Sequence, residues 1–322
     1  MKKILPAILF LLSASPLLKA QYDAQFSNYW ATMNYFNPAV AGQTKHLELS
    51  GIYRKQWLGM PGAPTSYVLS ADMPLKLFDR VHGLGMTSFS EGIGLFDRNV
   101  ISLQYAYKKN LWNGTLSAGL QGGMISESFN GADAYVPVDE NGNVLPGFTK
   151  PEQDEGILST EASATALDFA FGLYYAHKKW YAGFSLSHIL EPEISFTDNI
   201  YMKPARTYYL MGGYNIPLNN PFLELQPSVF VKSDLQSYLF DLNMRLCYAK
   251  FLWAGLGWRY GDAAIVTLGA KFGKIQGGYA YDFPVSAIRK GTTGSHELFL
   301  KYTIELAPGK GNKNKHKSVR LL

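Results

Sequence analysis

Ser295, His296 and Glu297 bring a nucleophile, a base and a carboxylate into three consecutive positions, the ingredients of a hydrolytic triad. They open an alternating run in which Leu298, Leu300, Tyr302 and Ile304 stand against Glu297, Phe299, Lys301, Thr303 and Glu305. Neighbours along a strand point to opposite faces, so Ser295 and Glu297 are predicted to face one way and His296 the other. No chain of nucleophile, base and orienting carboxylate can form among them. A distant histidine could still pair with Ser295, but the 6 histidines are scattered. Read structurally, the three residues are a loop end re-entering a last strand. Metal chemistry has little support: there is 1 cysteine, Cys247, and no two histidines stand at ligand spacing. Asp139, Glu140, Asn141 and Asn143 could approach Ca²⁺, but they lack the ligand order of an EF-hand loop and read as a solvated turn. The glycine pairs Gly83/Gly85, Gly92/Gly94 and Gly255/Gly257 do not open helices, which removes a phosphate cradle. No cofactor is expected, and Cys247 has no partner for an intramolecular disulfide.

A second cluster is Arg54, Gln56 and Trp57, followed by Gly59, Pro61, Gly62 and Pro64. A planar guanidinium and an amphipathic indole beside a rigid Gly/Pro loop fit a recognition edge for a partner. The same residues also fit a tryptophan in an interfacial aromatic belt with a solvated arginine next to it. Alternation places Arg54 and Gln56 opposite Tyr53. On that face Arg54 could bind a carboxylate bidentately, either from the protein's own loops or from a partner.

The elements that must position these residues are short alternating segments. Phe240, Leu242, Met244, Leu246 and Tyr248 alternate with Asp241, Asn243, Arg245 and Cys247. Ile101, Leu103, Tyr105 and Tyr107 alternate with Ser102, Gln104, Ala106 and Lys108, and Leu167 to Tyr175 behave alike. Such segments begin near residues 46, 65, 82, 99, 114, 166, 180, 206, 222, 238, 251, 263, 274 and 295, which makes 14. A soluble sandwich would also alternate, but with fewer strands. Aromatics at 14% and 31 glycines with strands of roughly 10 residues point instead to an all-β, transmembrane outer-membrane β-barrel of about 14 antiparallel strands, in the range 12 to 16. A closed barrel is the β-structure that satisfies every backbone polar group in lipid. Its lumen is either open or filled by side chains and loops.

The connections test this reading. Those at 57–64, 91–98, 127–164, 189–205, 233–237, 260–262 and 284–294 are mostly long, and those on the other side are tight turns. That asymmetry is expected of a barrel with long surface loops, and it predicts both termini in the periplasm. The loop 127–164, rich in Gly, Pro, Asp and Glu, is expected to be irregular.

At the N-terminus, Lys2, Lys3, the apolar run 4–12 and Ala20 form a secretory signal over residues 1–20, with an apolar run too short to span a membrane as a helix. Residues 21–45 are expected to be a periplasmic lead-in, turn-rich around Asn37, Pro38 and Gly42. Residues 46–306 would be the barrel and 307–322 a basic periplasmic tail. Of the formal charge of +5, the leader removes three lysines; the tail carries five basic residues, so the remainder is acidic. The high pI of 9.0 therefore belongs to the two ends, and nothing argues for nucleic acid.

Asn37, Pro38, Ala39, Ala41 and Gly42, followed by Arg54, Gln56, Trp57, Gly59, Gly62, Ala63 and Pro64, make a pattern that resembles the N-terminal signature of the PorP/SprF family of outer-membrane proteins. The resemblance continues through Pro227-Ser228, the run at 279–282 and Gly294-Ser295-His296-Glu297, and so covers nearly the whole mature chain. It implies a non-enzymatic component of the type IX secretion system or of gliding motility, supporting secretion, surface attachment or movement of specific cargo. The implied partners are secreted cargo with a C-terminal sorting domain, periplasmic or peptidoglycan-associated components, and outer-membrane lipid. A passive porin and a surface hydrolase are the alternatives from other classes.

Overall fold

The structure is a computed structural model describing residues 23–77, 80–131, 160–197 and 200–306. The segment expected as a signal, the acidic cluster at 139–143 and the basic tail lie outside the described residues. The barrel strands are β1 (His46–Lys55), β2 (Thr65–Leu77), β3 (Arg80–Ile93), β4 (Phe96–Leu111), β5 (Gly114–Asn130), β6 (Glu161–His177) and β7 (Trp180–Ser187). They continue as β8 (Thr207–Tyr214), β9 (Leu223–Ser233), β10 (Tyr238–Tyr248), β11 (Leu252–Arg259), β12 (Ala263–Phe272), β13 (Ile275–Pro284) and β14 (Ser295–Glu305). Each pairs antiparallel with its neighbours in the chain. β14 returns to β1, with His46 opposite Glu305 and Lys55 opposite His296, which closes a barrel of 14 strands.

The strands begin within a few residues of their expected positions. β4, β5 and β6 run to 16 and 17 residues, more than the roughly 10 a bilayer crossing needs. The expected connection 91–98 is accordingly reduced to a turn at 94–95, where Gly94 takes the positive φ of 58°.

The alternation sorts side chains as the pattern predicts. Leu69, Leu103, Leu120, Leu167, Leu256 and Leu300 are exposed on the outer wall, while Ser102, Gln104, Asp168, Asp241, Asn243 and Arg259 are buried inside. Phe240→Asp and Leu242→Asp should therefore damage assembly, because a charge facing lipid near the midplane costs about 2–4 kcal/mol. Asn243→Asp should be tolerated. Heat-modifiable gel mobility after outer-membrane extraction checks this, and equal losses for all three variants would refute the facing.

The interior is not empty. The segment expected as a periplasmic lead-in instead lies inside the barrel from Asp23 onward and fills it. Phe26, Tyr29, Phe36, Ala39 and Ala41 are each at most 1% exposed. They pack against inward-facing Phe89, Tyr174, Tyr209, Phe230, Trp253 and Phe299, so the hydrophobic core of this protein is its lumen. Tyr29 stacks on Phe230 at 4.7 Å, and Trp30 meets Phe299 edge-on at 5.0 Å with the Arg245 guanidinium 3.6 Å from its ring centre. Burying each such aromatic is worth about 1.5–3 kcal/mol. That opposes the entropy of ordering the segment and explains why an aromatic-rich stretch does not stay in water.

The segment folds as three short helical pieces, Tyr29–Ala31, Met33–Phe36 and Pro38–Val40. Pro38 opens the last of them, where a missing N–H is harmless, and the Asn37 side chain caps it by accepting from Ala39 N at 2.9 Å.

Candidate functional site

The site is the contact between this luminal plug and the wall, together with the loop rim above it. Its lower part is a seat of glycines. A Cβ on Gly83 would lie 1.9 Å from Ala41 O, one on Gly119 2.3 Å from Ala39 N, and one on Gly172 2.0 Å from Asn37 Oδ1. Bare backbone at these inward positions of β3, β5 and β6 is what lets residues 37–42 press against the wall. Asn37 Nδ2 then donates to Leu173 O and Phe184 O at 3.0 and 3.1 Å, and Gly42 N donates to Asp72 Oδ2 at 2.7 Å. Gly42 needs both its freedom and its size: φ is +62°, and a Cβ there would sit 2.5 Å from Met73 O.

The upper part is a buried charge clamp. Arg54, 1% exposed, donates through Nη2 to Asp282 Oδ2 at 2.7 Å and through Nη1 to Glu297 Oε2 at 3.2 Å. Arg259, also 1% exposed, donates to Asp282 Oδ2 at 2.8 Å and through Nε to Asp241 Oδ1 at 3.0 Å. Both guanidinium groups also reach Ser27 Oγ, at 3.1 and 3.2 Å, and that hydroxyl donates to Asp282 Oδ1 at 2.6 Å. Glu297 accepts from Ser27 N at 2.7 Å, from Asn28 N at 2.6 Å and from Asn28 Nδ2 at 2.9 Å. Cross-strand register sets the geometry, with Arg54 opposite Glu297 and Asp241 opposite Arg259. Charges this deeply buried persist only when their partners are in place, and here the plug backbone supplies some of those partners.

Arg54 and Gln56 therefore face the lumen as expected, but they are not a docking edge. The carboxylates that hold Arg54 belong to the barrel wall, and its burial withdraws it from any partner at the surface. Gln56, 7% exposed, takes the Arg54 Nε donor at 3.5 Å.

Trp57 is off the strand, in the turn, with φ 49°. Its backbone N donates to Ser295 Oγ at 3.1 Å. Leu58 N donates to Gly294 O at 2.7 Å and Thr293 N returns to Leu58 O at 3.0 Å, so the 56–64 and 285–294 loops form one rim. Gly59 and Gly62 both take positive φ there, and Gln56 N donates to Pro64 O at 2.9 Å.

The triad residues separate as alternation requires. Ser295 and Glu297 point inward and are used as just described. His296 points out, with Nδ1 2.6 Å from Tyr279 Oη and its ring 4.9 Å from that of Tyr281.

Sequence reasoning missed the plug, with its Ser27 and Asn28, and the roles of the wall residues Asp241, Arg259 and Asp282 that hold it. One signal was present: Phe89, Phe230, Trp253 and Phe299 put large apolar groups on the face that an open pore would keep polar. The motif fragments are also explained together. Residues 37–42 are the plug's seat contact, Ser228 Oγ accepts from Tyr29 Oη at 2.8 Å, and Arg54, Asp282 and Glu297 form the clamp.

Among solved structures, the chain is similar to the CymD monoaromatic hydrocarbon channel, at 10% identity over 90% of this chain and 95% of that one, with a TM-score of 0.50. It is also similar to the Pseudomonas putida toluene transporter TodX, at 11% identity, 88% and 95% coverage and a TM-score of 0.48. A third is the Acinetobacter baumannii outer membrane protein Omp33, at 7% identity, 81% and 98% coverage and a TM-score of 0.47. At these identities the likeness concerns the barrel fold alone. No curated protein matches in sequence. The pattern that defines the type IX secretion system membrane protein PorP/SprF family, however, matches residues 18–302, and the chain, an outer-membrane β-barrel, belongs to that family.

Proposed function

We propose that this barrel is a non-enzymatic attachment component of the type IX machinery, holding specific secreted proteins at the cell surface for display or movement, and not a conduit for them. The observation that carries the reading is the filled lumen: residues 23–45 occupy the bore and are clamped to strands on all sides. A passive porin needs an open bore, so the plug speaks against that alternative. The opposed faces of Ser295 and His296 speak against the hydrolase.

In this reading the rim around Trp57, Gly59, Gly62 and Pro64 receives a cargo domain such as a C-terminal sorting domain. Two positive-φ glycines and the cross-loop hydrogen bonds hold it stiff, so little entropy is lost on docking. The tight-turn end, where the chain leaves the wall at Leu306, faces periplasmic or peptidoglycan-associated components. Leu58 on the rim is exposed. Leu58→Asp combined with Met60→Asp should leave barrel abundance and heat-modifiability near normal and reduce surface display of the cognate secreted protein severalfold. Whole-cell immunoblotting of the barrel beside surface labelling of the cargo measures both, and unchanged display would refute the rim as the docking edge.

A further inference from the structure

The height of each plug contact on the wall rises steadily as the chain is followed backward from β1. His46, opposite Glu305, is at the mouth that carries the tight turns. Gln43 Oε1 accepts from Lys108 Nζ at 3.1 Å, Lys108 lying near the tight-turn end of β4. Asn37 is bound at mid-wall, and Tyr29 meets Ser228 in the middle of β9. Ser27 is at the clamp, close to the ends of β11, β13 and β14 that carry the long connections. Gln25 Nε2 then reaches Asp262 at 3.5 Å, in the 260–262 connection. Asp23 is at the far mouth. Its carboxylate meets His188 Nε2 at 3.1 Å, just beyond the end of β7, and accepts from Tyr209 Oη. Lys232 Nζ, one residue from the end of β9, donates to Asp23 O at 2.6 Å.

We propose that the chain is threaded through its own barrel, so that Asp23, where the plug begins, opens on the long-loop side of the membrane, opposite the end of β14. The wall leaves no other route. The β1–β14 ladder runs unbroken from His46 to Lys55, so the segment cannot pass sideways between first and last strands. One end of it leaves by the tight-turn mouth into β1, and the other therefore opens to the long-loop mouth. It does not turn back, because the cavity flanking Asp23 holds about 40 Å³, room for a few waters and not for a returning chain. The lumen is thus a fifteenth crossing beside the 14 strands of the wall. With the long loops outside, Asp23 joins Ala205, Asp234 and Ser237 at the surface face.

The test uses the full-length protein in cells, with Cys247→Ser as background and a membrane-impermeant maleimide as probe. Leu235→Cys, 77% exposed in a long-side loop, and Trp112→Cys, 79% exposed in a tight turn, mark the two sides. Tyr22→Cys is expected to label on intact cells to the same extent as Leu235→Cys, while Trp112→Cys labels only after permeabilisation. Gln21→Cys serves where Tyr22→Cys does not assemble. The criterion is co-labelling with Leu235→Cys whichever way the barrel is inserted, so a failed orientation and a failed threading are distinguishable. Labelling that follows Trp112→Cys would overturn the proposal, as would no labelling on either side.

Discussion

Deleting residues 23–43 is expected to turn a barrel that gives no stable current steps in a planar bilayer into one that conducts in large, stable steps. The wild-type bore is closed by Phe26, Tyr29 and Phe36 packed against wall aromatics, all buried, and the deletion removes the plug side of that layer while Phe89, Phe230, Trp253 and Phe299 stay on the wall. A wall of 14 strands encloses a bore wide enough for water when nothing occupies it. The deletion should still assemble, because the strands of the wall pair with one another around a closed ladder and not with the plug. The exposed clamp would be hydrated. Arg54, Arg259, Asp241, Asp282 and Glu297 lose Ser27 and Asn28 as partners but gain water, which screens them far better than a dry interior does. Conductance of the purified, heat-modifiable deletion variant beside wild type measures the effect. A conducting wild type would refute the sealed bore, and so would a silent deletion variant with an intact barrel.

Arg54→Ala should be among the most damaging single substitutions in the chain, at about 3–5 kcal/mol of stability, the range for removing one member of a buried ion network. Glu297, fully buried, would keep its backbone donors from Ser27 and Asn28 but lose its cation. Asp282 would be left to Arg259 and Ser27 alone. Arg54→Lys should recover only part of the loss, because a point charge cannot hold Asp282, Glu297 and Ser27 in the fork that a guanidinium spans. Combining Arg54→Ala with Glu297→Gln should cost less than the sum of the two single variants, since the second removes the charge that the first strands. The midpoint of the heat-induced mobility shift in detergent, taken for all four variants and wild type, gives the comparison. An Arg54→Ala barrel as stable as wild type would mean that the clamp does not hold the plug.

The burial of Arg54 and Gln56 inside the barrel runs against the expectation that these two residues serve a partner more than folding. The facing of Arg54 was legible from its alternation with Tyr53, and so was its need for a carboxylate. Which carboxylate was not. Asp282 is 228 residues away in the chain and Glu297 243, and nothing local to Arg54 distinguishes a wall partner from a docking domain.

What the sequence by itself determined is what local stereochemistry dictates. Alternation with a period of two marks a strand and its two faces, and glycine and proline mark where it turns, so the strand number, the lipid face and the opposed directions of Ser295 and His296 could all be read residue by residue. The closed shape follows almost as directly, because a sheet in lipid cannot leave an edge unpaired. The tertiary structure alone decided the content of the bore. Residues 23–45 have no strand period, and their aromatics are equally consistent with several environments. Their place depends on contacts such as Ser27 with Glu297, 270 residues apart, and on wall glycines whose missing side chains matter only once the plug lies against them. A polar clamp and an apolar bore assembled from most of the strands at once exist only after the ladder has closed, since the chain brings those residues together at no earlier stage.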